Sequence, residues 1–289
     1  MSTAINGSAT LEDISPHPLA DLPEGTKNPL DYALTQRDGS TLAMVRAAVA
    51  HNQTLMAYQP VMRDADDPKI AFYEGFIRIL DPTGRVIPAR EFMPVVEKTQ
   101  LGREIDVLSL NAGLAALSEN KGLRLSINMS ARSIGYAGWT TLLNRWLSRD
   151  GTIGERLILE ISEKSAMQMP ELVASFMDQL QARGVCFALD NFGSDYIAIR
   201  YLKEMFFDIL KIDGQFARGV SDHPDNRAIV SIMVSIARNF DMITVAEQVE
   251  NQDDASLLLA LGVDCQQGFL YGAPTTQPYW QSTPEERKN

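Results

Sequence analysis

The chain is poor in the residues that build staples and soft-metal clusters. It has two cysteines, Cys186 and Cys265, and three histidines, His17, His51 and His223, among 289 residues. Two thiols far apart, one within an apolar run and one directly after such a run, exclude a disulfide scaffold and read as free cysteines. The histidines have no ligand spacing and give no catalytic or zinc site. No apolar run approaches the ~18 residues that a membrane-spanning helix requires. The start, MSTAINGSATLEDISP, has neither the basic segment nor the apolar segment of a secretory signal. A cytoplasmic protein is expected. Basic residues are also few: 26 Lys and Arg stand against 37 Asp and Glu, a net charge of −11. That balance disfavours DNA or RNA polymers, whose phosphates need a basic field. An acidic protein that takes an anionic small ligand needs local cations, and metal ions are the obvious source.

What is present is ordinary globular composition, 45% hydrophobic and 22% charged. The length suits a single α/β barrel, which typically takes ~250 residues. Residues 1–38 differ from the rest, with Pro16, Pro18, Pro23 and Pro29, two basic against six acidic residues, and no sustained apolar period. They are expected to form a flexible or loosely docked arm. The barrel domain is expected over 39–280, followed by a C-terminal tail at 281–289.

From Thr41 the pattern is regular. Leu42, Val45 and Val49 predict a short amphipathic helix. TLMAYQPVM (54–62) and KIAFYEGFIRIL (69–80) read as strands joined by the turn-like DADDP. Residues 91–117 read as helices. Strands at 123–130, 156–162, 185–193, 207–213, 242–250 and 263–274 then alternate with helices at 139–147, 170–184, 226–240 and 253–262. In 226–240 the buried stripe is expected to be Ile229, Ile232, Met233, Ile236 and Phe240. Near-continuous apolar strands between helices mean parallel strands covered on both faces. About eight of them, with no glycine-rich dinucleotide fingerprint after the first, favour a closed barrel over an open doubly wound sheet.

Polar residues interrupt or end these strands: Glu74 within FYEGFIRIL, then Asn128, Glu160, Asp190 with Asn191, Lys211, Glu247 and Gln267. In a parallel barrel the carboxyl ends of the strands converge on one face, where active sites are built. The ordinary reading of each residue alone is a helix cap or a surface ion pair. Several on independent strands argue otherwise, because carboxylates buried together are very unfavourable without a cation. An all-oxygen donor set suits Mg2+ or Mn2+. A hard-metal site with one lysine serves phosphoryl chemistry, enolisation or a Schiff-base aldolase, and Lys211 alone does not separate these.

The motifs at these positions resemble those of the EAL family, bacterial phosphodiesterases and receptors of cyclic di-GMP. From about Leu55 to Pro274, YQPVM resembles YQPI, and Glu74-Gly75-Phe76-Ile77-Arg78 stands where Glu-Ala-Leu-x-Arg would be. SINMSARSI resembles SVNLSARQL, LEISEK resembles LEITES, and LDNFGSDY resembles LDDFGTGY. LKID is identical, VAEQVE resembles VAEGVE, and QQGFLYGAP resembles VQGYLFGRP.

The resemblance implies a TIM-like (β/α)8 barrel with one antiparallel strand. It implies one divalent ion, Mg2+ or Mn2+, on residues matching Glu74, Asn128, Glu160 and Asp190. A second would lie on Asp190, the residue at Asn191, and Glu247. Water attacking one phosphodiester would give linear pGpG. Lys211 would hold or polarise that water, and Glu247 would serve as ligand and base. Arg78 would pair with a ligand phosphate, and Gln267 would support the site or the ligand. Glu250 would support the nearby loop. Glu163 would anchor the loop after Asp190 that couples the family's site to dimerisation, so a homodimer is an expected association.

Four departures stand out. Asn191 replaces the second aspartate and removes one negative charge, which weakens the second ion. Gly75-Phe76 replaces Ala-Leu. Asp195 and Ile197 replace a loop glycine and a serine. Gln248 replaces a glycine, adding strain or crowding if that glycine has positive φ or lies against the ligand. Three functions follow. The first is a metal-dependent cyclic di-GMP phosphodiesterase weakened by Asn191. The second is an impaired receptor of cyclic di-GMP acting through a protein partner. The third is a barrel that neither hydrolyses nor binds the dinucleotide and works through a protein partner.

Overall fold

The structure, a computed structural model, describes residues 29–63, 69–194 and 199–281. The turn at 64–68, Asp195 and Ile197, and the tail beyond residue 281 lie outside the described residues. So do the first 28 residues of the expected arm.

The chain opens with α1 (Pro29–Ala50), then β1 (Thr54–Arg63), β2 (Lys69–Leu80) and the short β3 (Val86–Pro88). Helices α2 (Ala89–Val96) and α3 (Gln100–Glu119) follow. The alternating series is β4 (Leu125–Asn128), α4 (Ala137–Arg149), β5 (Leu157–Ser162), α5 (Glu163–Ala166) and α6 (Pro170–Gln181). Next come β6 (Cys186–Phe192), α7 (Ile199–Leu202), β7 (Ile209–Ile212), α8 (Gly214–Ala217) and α9 (Pro224–Asn239). The series closes with β8 (Ile243–Ala246), α10 (Gln252–Ala260) and β9 (Cys265–Gln266). Strands β2, β4, β5, β6, β7, β8 and β9 run parallel in that order. Strand β1 pairs antiparallel with both β2 and β9 and closes the ring, while β3 adds to the far half of β2 outside it. Among the described residues this is a closed eight-stranded barrel with one antiparallel strand, as the sequence predicts.

The period of two along a strand explains how this ring makes a site. Val61, Phe72, Ile158, Ala188, Ile209, Val245 and Cys265 form one buried cluster. Six of these, from Phe72 onward, lie two residues before Glu74, Glu160, Asp190, Lys211, Glu247 and Gln267. Residues two apart share a face, so an apolar plug underlies the polar layer in strand after strand. Each Val, Ile or Phe buried there contributes roughly 1.5–3 kcal/mol, which sets a rigid floor beneath the site. The opposite strand faces, including Leu125, Ile127, Leu159, Phe187, Leu189 and Leu210, pack with the helices in the main core.

Two expectations need correction. Residues 29–38, expected as part of the arm, are helical: α1 runs for 22 residues from Pro29, and its far half buries Val45 and Ala48 against Ile77, Ile79 and Phe92. In α9 the buried residues are Val230, Met233, Val234 and Ala237, whereas Ile232 is 60% exposed and Phe240 37%. The helix carries apolar residues around more than half its girth, so its own pattern does not choose a face. Contact with β7 and β8 does.

Candidate active site

Lys211, near the end of β7, has no exposed surface. Its Nζ lies 2.8 Å from Glu74 Oε2, 2.8 Å from Glu160 Oε2, 2.9 Å from Glu247 Oε1 and 3.4 Å from Asp190 Oδ1. Carboxylates from β2, β5 and β6 and the one just past β8 thus meet one ammonium at the mouth of the barrel. Asn128 donates through Nδ2 to Glu74 Oε1 at 2.8 Å, which turns its own carbonyl oxygen away from that bond. Gln267 donates to Glu74 Oε2 at 2.8 Å and to Gln59 Oε1 at 3.2 Å. Gln267 is 3% exposed, so of the two offices implied for it, burial favours holding Glu74 over touching a ligand. Gln59, within the quoted YQPVM, received no role from sequence; it ties this layer to Gly272 O at 2.9 Å.

Asp190 and Asn191 sit where β6 slips in register against β7, between Leu189 and Phe192. Such a bulge re-aims side chains at a barrel rim. Asn191 has φ 55°, a left-handed conformation that Asn tolerates better than most residues. Its Nδ2 donates to Asp190 Oδ2, so here its donor, rather than its oxygen, faces Asp190. Glu163 Oε2 accepts from Gly193 N at 3.1 Å and anchors the turn after the bulge. Gly193 has φ +94°, and a Cβ there would lie 2.3 Å from Met233 Cε, so the turn requires glycine.

Arg78 is half-buried, bonds Ile77 O at 3.1 Å and lies 5.5 Å from the centroid of the Phe76 ring. Among the described residues it forms no ion pair with a carboxylate. Glu250 pairs with Arg218 at 2.9 Å on the rim. Asp106 of α3 was missed by sequence reasoning. It is buried and accepts from Ser130 N at 3.0 Å and Ser133 Oγ at 2.6 Å, fixing the loop after Asn128. The only sequence signal was an acid next in sequence to Ile105, on an amphipathic helix.

The electrostatics follow from one ammonium among four carboxylates. Burial disfavours the Lys211 charge, but Asp190, Glu160, Glu247 and Glu74 together hold its pKa well above the usual lysine value. Burial pushes Glu74 up, yet the Lys211 charge and hydrogen bonds from Lys211, Gln267 and Asn128 bring it below the ordinary value. Burial and the charge of Glu74 raise Glu160 well above the ordinary range. Burial also raises Asp190, and pushes Glu247 up to about 8. Fully ionised, this ring would carry a net charge of −3. Glu160 Oε1, Asp190 Oδ1 and Gln267 Oε1 are buried without a hydrogen-bond partner. Among the described residues no group of three or more His, Cys, Asp or Glu side chains stands arranged to hold an ion; the carboxylates close on Lys211 instead. The donor chemistry nevertheless fits a hard divalent cation, since surplus negative charge and unspent acceptor oxygens both call for one.

Comparison with known proteins gives a consistent picture. The model of the EAL domain matches residues 42–274. Cyclic di-GMP phosphodiesterase PdeB of Shewanella oneidensis is 30% identical over 281 residues, covering 93% of this chain and 33% of that protein. Cyclic di-GMP phosphodiesterase PdeF of Escherichia coli is 29% identical, covering 80% and 31%. This chain therefore spans about a third of the length of these curated relatives. The solved structure of the PaMucR phosphodiesterase in complex with c-di-GMP superposes with a TM-score of 0.73 at 30% identity, covering 84% of this chain and 99% of that one. The FimX EAL domain from Pseudomonas aeruginosa, at 23% identity, a TM-score of 0.74, and coverage of 84% and 100%, is alike in fold.

Proposed function

The chain belongs to the EAL domain family, and on that premise we propose that it is a divalent-metal-dependent phosphodiesterase opening cyclic di-GMP to linear pGpG. The observation that carries the reading is the ring of Glu74, Glu160, Asp190 and Glu247 around Lys211, four carboxyls to one cation and with acceptor oxygens unspent. Glu74, Asn128, Glu160 and Asp190 would hold one Mg2+ or Mn2+, and Asp190, Asn191 and Glu247 a second. When bound, such ions lower the pKa of water and offset charge on the attacking and leaving oxygens.

The chain's own groups supply the rest. A water oxygen bonds to phosphorus as the P–O3′ bond breaks, and the departing O3′ takes a proton from solvent, leaving a 3′-hydroxyl and a 5′-phosphate. With Glu74, Glu160 and Glu247 turned to the ions, the Lys211 ammonium that they now occupy would be free to donate to the water oxygen and orient it. Glu247 is the most exposed of the four carboxylates that Lys211 touches, at 17% of its side chain. That access to the mouth suits it to take the proton of the water. Arg78, not engaged by any carboxylate among the described residues, pairs through its forked donors with the phosphate that does not react. Asn191 supplies an amide where the family has a carboxylate, so the second ion binds less tightly and turnover slows.

The test is hydrolysis of cyclic di-GMP with Mg2+ or Mn2+, run beside a binding titration. Metal-dependent formation of pGpG, abolished by Glu74→Ala, is expected. Tight binding with no turnover would identify a receptor, and absence of both would leave a scaffold.

A further inference from the structure

Gln248 stands one residue beyond Glu247 and has φ 56°, where a side chain is strained. The hydrogen bonds on either side explain the kink. Glu247 N donates to Ile212 O on the β7 side at 3.2 Å, and Val249 N donates to Gln267 O on the β9 side at 3.0 Å. The chain must turn between them, and a left-handed residue makes that turn. Glycine is the inexpensive choice, yet glutamine is present.

The space for it comes from Gly214, just past β7. A Cβ on Gly214 would lie 2.3 Å from Gln248 Cδ, 2.5 Å from Cγ and 2.6 Å from Nε2. The side chain of Gln248 therefore lies flat across Gly214, from its aliphatic stem to its amide nitrogen. The residue is nonetheless exposed, and its carboxamide has no hydrogen-bond partner among the described residues. A long polar side chain thus rests on Gly214 one residue past Glu247, with its carboxamide open to solvent and not engaged by another described side chain or backbone group. Strain retained at the rim of a site, together with an amide that no protein group engages, is the arrangement expected of a recognition group.

We propose that Gln248, cradled on Gly214, is a ligand-binding residue that hydrogen-bonds the dinucleotide held above Lys211. This rests on the reading of the site as one for cyclic di-GMP. The variants Gln248→Gly, Gly214→Ala and the double variant, made in the full chain, are titrated with cyclic di-GMP with and without Mg2+ and assayed for turnover. Gln248→Gly is expected to weaken binding about tenfold, the scale of one hydrogen bond to a charged group. It should raise KM with kcat within about twofold, because the lost contact holds substrate and transition state alike. Its Tm should not fall, since glycine relieves the left-handed strain. Gly214→Ala displaces the amide and should weaken binding in the same direction. The double variant should bind no more weakly than Gln248→Gly, since both changes remove one contact. Wild-type binding by Gln248→Gly, or losses that multiply in the double variant, would overturn the proposal while leaving the phosphodiesterase reading intact. A wild-type chain that binds no cyclic di-GMP in either condition would remove both.

Discussion

Lys211 Nζ lies within 3.4 Å of four carboxylates and is itself fully buried. Replacing it with methionine keeps much of the volume and leaves those groups without their cation. Breaking a buried ion pair from one side costs ~3–5 kcal/mol, and Lys211→Met is expected to lower the unfolding free energy by that order, measured by urea titration. A loss under about 1 kcal/mol would mean that the carboxyls already share enough protons to balance themselves. Asn191→Asp restores a negative charge at a backbone conformation that Asp also tolerates. It should raise the amount of Mn2+ bound per chain in calorimetry and raise the rate of pGpG formation. Unchanged metal binding would show that charge at this position is not limiting. These residues were legible in the sequence for a simple reason: a polar residue closing an apolar strand has few places to go except the barrel mouth. The reciprocal fit of Gly214 and Gln248 was not legible, since it depends on which turn the backbone makes after β8.

At the scale of elements, α3 couples the outer shell to the site through Asp106. Burial pushes its carboxyl from an ordinary 3.8 up to about 7, against the opposing hydrogen bonds from Ser133 and Ser130. The folded chain therefore keeps a proton that the unfolded chain releases between these values, and unfolding sheds it. Stability should fall as pH rises from about 4 to about 7 and level off above, with a total of order 2–4 kcal/mol from this group. Asp106→Asn keeps an acceptor for both serine donors and should flatten that slope, read from urea midpoints at pH 5 and pH 8. An unaltered slope would place the proton elsewhere. Within α3 the sequence could not mark Asp106, because one acid on an amphipathic helix reads as solvent-facing until the loop it serves is placed beside it. The same limit produced the misplaced stripe of α9, whose inward face is selected by the strands it covers. Strand positions fared better, since alternation with a period of two leaves only two faces to choose between.

At the scale of the whole molecule, the net charge of −11 surrounds a site proposed to take a dianionic ligand. Long-range repulsion should slow association, and screening by salt should relieve it. In the absence of divalent metal, the association rate of cyclic di-GMP is expected to rise several-fold between about 20 and 200 mM NaCl, measured by stopped-flow. A fall with salt would point to a local cationic funnel stronger than the global field. The closed barrel was legible because the repeating strand–helix order and the motifs on successive strands agree. The extent of α1 was not, because its first ten residues hold too few apolar positions to declare a face; the helix is secured by Val45 and Ala48 further along.

The ring around Lys211 also bears on synthesis. A nascent chain halted before Phe207 would already hold Glu74, Glu160 and Asp190 but no partner cation for them. Drawing those three acids together would be opposed until β7 leaves the ribosome, so the first two-thirds of this polypeptide should make a poor autonomous fragment. Partial charge compensation by Lys211 is thus expected to come late, delaying consolidation of the mouth until the strand that carries it arrives.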